Sequence, residues 1–297
     1  MSVRKAVETI ARGSCSRSRL AKPPFAGHRI ELSYVGTEFS GWQRQRGKPS
    51  VQEALESAVE RIWGEPIPVV GASRTDAGVH AVRQAASFAA PQKLAAEELV
   101  RALNYYLPAS IRICRVKLVD PRFHARFGAQ AKTYEYRVWN HPVLDPFLAD
   151  RVWHVPSPLA EGSMREAGGF LVGTRDFSAF ATNPGRAYST TVRTISDLTI
   201  SRQGPSVRIR VTGDGFLYHM VRNIVGALVR VGKGRLSLAD FQEILESRER
   251  KRAPASAPPW GLYLLRVYYA SKQKKHGKGS SGKDGTSLLT IPRARCE

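Results

Sequence analysis

An arginine, an acid and a glycine stand within five residues in one short polar segment. The segment, GASRTDAGVHA, runs over residues 71–81 and contains Arg74, Asp76 and Gly78. A loop between two strands is held by a rigid scaffold, and catalytic side chains are common there. An ionised carboxylate in such a loop can act as a nucleophile or a base, and the Arg74 charge favours that form. A lone Asp-Ala-Gly is more typical of a turn in which the aspartate hydrogen-bonds its own backbone.

The Asp-Ala-Gly of this segment is similar to the Asp-Thr-Gly of aspartic proteases. Those enzymes need two carboxylates that share a proton. The other Asp-Gly in this chain, Asp214-Gly215, lies in TGDGFLYHM and has no matching sequence frame. The isoelectric point of about 10.4 also disfavours a protease with one candidate aspartate.

Two other candidates lie at the edges of apolar faces. Arg222 directly follows Val221, which belongs to the apolar stripe of a predicted helix. Its side chain could extend its charge to water, or it could pair with a buried carboxylate. Tyr134 begins the apolar face of a predicted strand. It could be a core residue or a ring that stacks on a nucleic-acid base.

Two short basic segments are candidate phosphate-binding loops. GWQRQRGKPS carries Arg44, Arg46 and Lys48 between a strand and a helix, and FHARF carries His124 and Arg126. Solvated loops are the alternative interpretation. No acid or nucleophile partners His124 at a recognisable spacing, so we expect it to face RNA or to be structural.

The charge of the chain indicates a nucleic-acid partner. The net charge is +21, and residues 1–28 and 271–297 each contribute +5, which leaves +11 on residues 29–270. Such an excess on a folded region is typical of a surface that meets phosphates. No apolar run is long enough to span a membrane. The three cysteines lack metal-ligand spacing and a disulfide pattern, which favours a reducing, cytoplasmic environment.

Periodicity predicts an α+β fold with helices on one face of a mostly antiparallel sheet. We expect four regions: a basic arm or transit peptide (1–28), an N-terminal half (29–145), a C-terminal half (146–270) and a Lys-, Gly- and Ser-rich disordered tail (271–297). Predicted strands cover 29–35, 67–70, 82–90, 110–119, 132–140, a hairpin with its turn at Gly204-Pro205, and 261–269. Predicted helices cover 50–63, 95–106, 162–172 and 216–232.

Seven motifs occur in an order that identifies a family. They are YVGTEFSGWQRQ, SRTDAGVHA, FHARF, KTYEYRVWNH, DFSAF, GDGFLYHMVRNIVGALVRVGKGR and APPWGLYLLRVYY. Together they closely resemble the TruA family of tRNA pseudouridine synthases, and the resemblance covers roughly residues 29–270. The second and sixth motifs are long and specific. The chain departs from the family pattern at Ala72-Ser73, where Gly is usual, and at Arg175, where His is common.

The resemblance implies an isomerase that converts uridine to pseudouridine in the anticodon stem-loop of tRNA. It assigns Asp76 as the catalytic aspartate, acting as nucleophile or base, Arg74 as the arginine of its motif, Tyr134 as the stacking ring and Arg222 as the partner of Asp76. An aliphatic residue floors the uracil pocket, and it maps to Leu262 or Leu264. We expect Leu264 to be the residue that keeps water from the intermediate.

The resemblance also implies two ferredoxin-like halves joined in one mixed sheet, with a basic cleft between them. The family is usually homodimeric and uses no metal or cofactor. The alternative from another class is a non-catalytic RNA-binding or RNA-chaperone protein on the same fold.

Overall fold

A computed structural model describes residues 25–183, 185 and 187–270 of the chain. Most of the predicted arm and the whole predicted tail lie outside the described residues, and so does the choice between arm and transit peptide. None of the helices in the described ranges is long and apolar enough to cross a membrane.

The described residues form ten strands and five α-helices. The strands are β1 (Phe25–Tyr34), β2 (Val70–Gly71), β3 (His80–Pro91), β4 (Ile111–Val119), β5 (Ala129–Trp139), β6 (Trp153–His154), β7 (Gly173–Asp176), β8 (Val192–Gln203), β9 (Ser206–Gly213) and β10 (Leu262–Tyr269). The helices are α1 (Val51–Trp63), α2 (Ala96–Tyr106), α3 (Glu161–Gly169), α4 (Met220–Gly232) and α5 (Leu238–Ser247).

All ten strands belong to one sheet. Its main path runs β4-β1-β3-β10-β5-β9-β8-β7, with β2 paired to β3 and β6 paired to β5. The β10–β3 and β5–β6 pairs are parallel and the others are antiparallel. The predicted mixed, mostly antiparallel α+β fold is confirmed. The division at residue 145 stays a prediction, since β5 precedes it and pairs with β9 and β10, which follow it.

One face of the sheet carries most of the core. Alternate residues of β5 that face the same way, Tyr134, Tyr136 and Val138, are buried together with the apolar stripes of the helices. Val207, Ile209 and Val211 continue this layer on the adjacent strand β9. The alternation predicted for residues 132–140 is therefore confirmed.

Local signals account for α1. Ser50 lies before its first turn and its hydroxyl oxygen accepts a hydrogen bond from the Glu53 backbone N–H at 3.3 Å. This bond satisfies one of the N–H groups that a helix start leaves without a partner. Gly64 ends the helix with a φ of +79°, a left-handed conformation that glycine adopts readily.

Two predicted elements are shorter in the structure. Side-chain hydrogen bonds shorten one, and backbone conformation shortens the other. Of the predicted strand 67–70, only Val70 belongs to the sheet, in β2. Side chains of α1 bind the backbone of Val69. Glu56 accepts its N–H and Gln52 donates to its C=O, both at 3.1 Å. The helix predicted from residue 216 begins at Met220, since His219 has a φ of +59° and ends any helical path there.

Two further boundaries are corrections. Strand β1 begins at Phe25, so residues 25–28 do not belong to the arm. His28 is 1% exposed and its ring stacks on Phe88 at 4.8 Å, which extends the strand into the core. Helix α5 was not predicted, although Phe241, Ile244 and Leu245 are buried along one of its faces.

Candidate active site

Asp76 lies in a tightly held loop between β2 and β3. The neighbouring Thr75 accepts the Trp42 backbone N–H at 3.0 Å, and its hydroxyl lies 2.8 Å from the Tyr34 hydroxyl. The Val79 N–H donates to the Asp76 backbone oxygen at 3.1 Å, and Gly78 has a φ of +76°. The segment is therefore a turn, and the turn fixes the position of the carboxylate.

Arg222 contacts this carboxylate from the first turn of α4. Its Nη1 lies 3.1 Å from Asp76 Oδ2, and its Nε donates to the backbone oxygen of Ala257 at 2.8 Å. The Ala257 N–H donates in turn to the Arg222 backbone oxygen at 3.0 Å. Only 14% of the arginine side chain is exposed. Of the two interpretations of Arg222, the geometry matches the carboxylate partner, through one guanidinium nitrogen.

A second group, His219, also contacts Asp76 and was missed from the sequence. Its Nε2 lies 3.3 Å from the Oδ2 atom that Arg222 contacts. Burial lowers the pKa of His219; the charge of Asp76 raises it, and Arg222 and Arg250 lower it. The signal available in the sequence was its place three residues before Arg222 in the HMVRN segment.

Tyr134 lies across the same space on β5. Its hydroxyl is 2.7 Å from Ser73 Oγ, and its ring meets the edge of Phe216 at 5.2 Å and 85°. Burial raises the pKa of Tyr134 to about 12, with the Ser73 hydrogen bond lowering it and Asp76 raising it. The phenol is therefore neutral at physiological pH.

The predicted floor residue, Leu264, does not line the site. Leu264 lies opposite Tyr134 in the sheet register and is fully buried. The cavity is lined instead by Leu262, the first residue of β10, which directly follows the Pro259–Gly261 turn. Leu262 stands at the end of the strand, which is open to the cavity. Leu264 lies two residues further along β10, where the neighbouring strands cover its side chain.

These groups surround one cavity of about 940 Å³. Asp76 is the one acidic residue among the described residues that line it. Six cationic residues also line it: Lys48, Arg74, Arg126, Lys132, Arg193 and Arg222. Arg74 is exposed at this wall. The cationic lining would attract a polyanionic substrate. The single carboxylate is then the one negatively charged group of the cavity that could react with it.

The predicted RNA-binding residues divide into two groups. Lys48 and Arg126 line the cavity, whereas Arg44 and Arg46 are exposed outside the lining. Arg44 forms an ion pair with Glu56 of α1 at 2.8 Å.

The structure places His124 in a structural turn. Its Nδ1 accepts the backbone N–H groups of Arg126 and Phe127, both at 3.2 Å. This bonding holds the FHARF loop, in which Arg126 is exposed. His124 does not line the cavity, and its predicted contact with RNA stays a prediction beside this structural role.

Lys132 also lines the cavity and is not among the residues predicted from the sequence. Burial, and to a smaller extent the charge of Arg126, lower its pKa to about 8. It stands two residues before Tyr134 on the same strand, so the period-two alternation directs both side chains to one face.

Comparison with known proteins places this arrangement in a family. A family model described as tRNA pseudouridine synthase matches residues 32–128 and 170–270. The tRNA pseudouridine synthase A of Methylacidiphilum infernorum is 53% identical over 248 residues, covering 84% of this chain and 97% of that protein. Proteins with the same name from Thermoanaerobacter sp. and Acetivibrio thermocellus are each 42% identical, covering 81% of this chain and 98% of theirs.

A solved archaeal box H/ACA sRNP Nop10-Cbf5 complex overlaps with a TM-score of 0.30 and 10% identity, covering 78% of this chain and 58% of that one. The sequence relatives carry the assignment, because they align almost from end to end. This chain belongs to the tRNA pseudouridine synthase family.

Proposed function

We propose that this chain isomerises uridine to pseudouridine in tRNA, with Asp76 as the catalytic residue. The observation that carries the proposal is the contact between Asp76 and Arg222 inside a cavity with a cationic lining. The sequence relatives named tRNA pseudouridine synthase A support tRNA as the substrate. The anticodon stem-loop as the target region is part of the proposal and rests on the motif resemblance.

The reaction rearranges bonds within one nucleotide. The N1–C1′ bond breaks, the uracil turns, and C5 bonds to C1′; the C5 proton is lost and N1 gains a proton. The ionised carboxylate of Asp76 has two possible roles. It attacks C1′ and is later displaced by C5, or it removes the C2′ proton and the proton returns after C5 has added.

Both roles need a charged carboxylate in a partly desolvated place. An unpaired charge there is costly, because burial removes its hydration. The guanidinium of Arg222 offsets that cost and aims the carboxylate, since its own position is held by Ala257. With 21% of the Asp76 side chain exposed, the acid remains reachable from the cavity.

The target base must leave its stack before it can react. Base flipping costs a few kcal/mol. Stacking on an aromatic ring contributes about 1–3 kcal/mol per base, and we assign this role to Tyr134. Phosphate contacts of Lys48, Arg126, Lys132 and Arg193 would supply the remaining binding energy. Leu262 replaces Leu264 as the apolar group next to the base.

We further propose a homodimer and a cytoplasmic location, which rest on the motif resemblance and the cysteine pattern. Light scattering of the purified chain at several concentrations measures its mass and therefore tests the homodimer. A mass of one chain at all concentrations would refute the dimer.

The test uses tRNA transcripts that carry tritium at C5 of uridine. The wild-type chain should release tritium, and Asp76→Asn should release none while binding tRNA with a similar affinity, because the change is nearly isosteric. Asp197→Asn is the matched control, because Asp197 is exposed on β8 and does not line the cavity.

Tritium release by Asp76→Asn would refute the assignment of Asp76. Tight tRNA binding by the wild type without any release would favour a non-catalytic RNA-binding protein. Mapping the modified uridine in the product tests the stem-loop proposal separately.

A further inference from the structure

His219 shares one oxygen of Asp76 with Arg222. The His219 Nε2 lies 3.3 Å and the Arg222 Nη1 lies 3.1 Å from Asp76 Oδ2. Two contacts on one oxygen restrict rotation of the carboxylate plane, because a turn that moves Oδ2 disturbs both. An ionised carboxylate only accepts hydrogen bonds, so the imidazole can contribute here as a donor through Nε2–H.

The backbone of His219 has an unusual conformation at this contact. It is the residue before the first turn of α4 and has a φ of +59°, a left-handed conformation that residues with a β-carbon rarely adopt. The Asn223 N–H donates to its backbone oxygen at 2.9 Å, and its ring stacks on Tyr218 at 3.8 Å. Strained backbone of this kind persists where the surrounding structure holds it, and it is frequent at functional sites.

The surroundings of His219 favour the neutral ring. The charged groups that face it are Asp76 from the β2–β3 loop, Arg222 from α4 and Arg250 from the segment after α5. Burial and the two arginines lower its pKa, against the opposing effect of Asp76. A neutral imidazole can donate one hydrogen bond to a carboxylate without adding a second positive charge beside it.

We propose that His219 is a positioning residue for the reaction, which donates Nε2–H to Asp76 Oδ2 in the substrate-bound enzyme. The distance of 3.3 Å is long for a hydrogen bond, and such contacts shorten when substrate closes the site. The inference rests on the proposed function and adds a residue to it. At low pH the protonated ring holds the negative charge of Asp76 more tightly, so the carboxylate becomes less reactive.

The kinetic test compares His219→Phe and His219→Asn with the wild type. Phenylalanine retains a ring but cannot donate, so kcat should fall by up to about 10²-fold, the scale for a misplaced reacting group, with KM changed little. Asparagine tolerates the left-handed conformation and can donate through its amide, so it should recover most of kcat. His141→Phe is the matched control, because His141 is exposed and does not line the cavity.

The pH profile separates positioning from a structural role. The wild-type kcat should fall on the acid side as His219 becomes protonated, and this acid limb should be displaced or absent in His219→Asn. Unchanged kcat in His219→Phe, a loss confined to KM, or an unchanged acid limb in His219→Asn would overturn the proposal. If His219→Phe does not fold, the pH comparison between wild type and His219→Asn decides.

A titration without substrate gives an independent readout. In the chain labelled with ¹⁵N-histidine, the His219 signal is identified by its absence in His219→Asn. Asp76→Asn removes the negative charge that raises the His219 pKa, so that pKa should fall further. An unchanged pKa would overturn the contact. A wild-type chain that forms no pseudouridine would refute the proposed function itself, whereas an active wild type with unaffected variants would refute only the role of His219.

Discussion

Arg222 Nη1 lies 3.1 Å from Asp76 Oδ2, although 146 residues separate them along the chain. Arg222 lies at the start of α4, and Asp76 lies in the β2–β3 loop. The contact joins the loop that carries the acid to the segment around Ala257, which Arg222 also binds. Catalysis should therefore depend on both bonds of one guanidinium.

The first prediction concerns this shared guanidinium. In Arg222→Lys the ammonium cannot reproduce the fork that contacts Asp76 and Ala257 together. We expect kcat for tritium release to fall by about 10²-fold, the scale for a misplaced reacting group. Arg230→Lys, at an exposed position of the same helix, should retain wild-type kcat. An unchanged kcat in Arg222→Lys would show that the second contact does not matter.

The second prediction separates the ring of Tyr134 from its hydroxyl. Tyr134→Phe retains the ring and loses the hydrogen bond to Ser73, so kcat/KM should stay near wild type, with about 1 kcal/mol less stability. Tyr134→Ala removes the stacking surface and should lower kcat/KM by about 5- to 150-fold. Thermal melting confirms that both variants are folded at the assay temperature. Equal kcat/KM values for the two variants would contradict a stacking role.

The third prediction concerns the pH dependence of tRNA binding. Because the pKa of Lys132 is about 8, its positive charge is present at pH 7 and is lost as the pH rises through 8. If that charge contacts a phosphate, the dissociation constant should rise about fourfold between about pH 6.5 and pH 8.5. Lys132→Arg keeps its charge and should flatten this dependence.

Lys117→Arg is the control for that measurement, since Lys117 is exposed on β4 and does not line the cavity. Its pH dependence should equal that of the wild type. A wild-type affinity that is constant over this range would exclude a phosphate contact by Lys132.

The fourth prediction concerns the packing of α4 against the segment that Arg222 binds. A β-carbon at Gly226 would lie 2.2 Å from the backbone oxygen of Ala255, and backbone cannot move away cheaply. Gly226→Ala should therefore reduce the free energy of unfolding by about 1–3 kcal/mol and lower kcat by displacing Ala257. Gly162→Ala, in α3 with no atom within 4 Å of the added β-carbon, should not destabilise the fold. Urea denaturation measures both, and equal stability of the two variants would contradict the close packing.

Local pattern predicted most elements of the fold. The apolar spacing and Ser50 predicted α1, and the alternation over residues 132–140 predicted β5, because backbone hydrogen bonding and side-chain direction repeat over short distances. The prediction of β2 was too long because Glu56 and Gln52 bind the backbone of Val69 from another element. Such capture depends on how α1 packs, which periodicity does not encode.

The amino-acid sequence by itself determined the chemistry that is present: an aspartate in a polar turn, a basic surface and motifs that resemble one family. The resemblance already paired Arg222 with Asp76, and only the tertiary structure decided how that pair is built and which further groups join it. The insertion of β10 between β3 and β5 brings Leu262, rather than Leu264, to the cavity. The same assembly places Arg222 and His219 on one oxygen of Asp76. Contacts across such separations depend on strand register and helix packing, and these are set by the whole core.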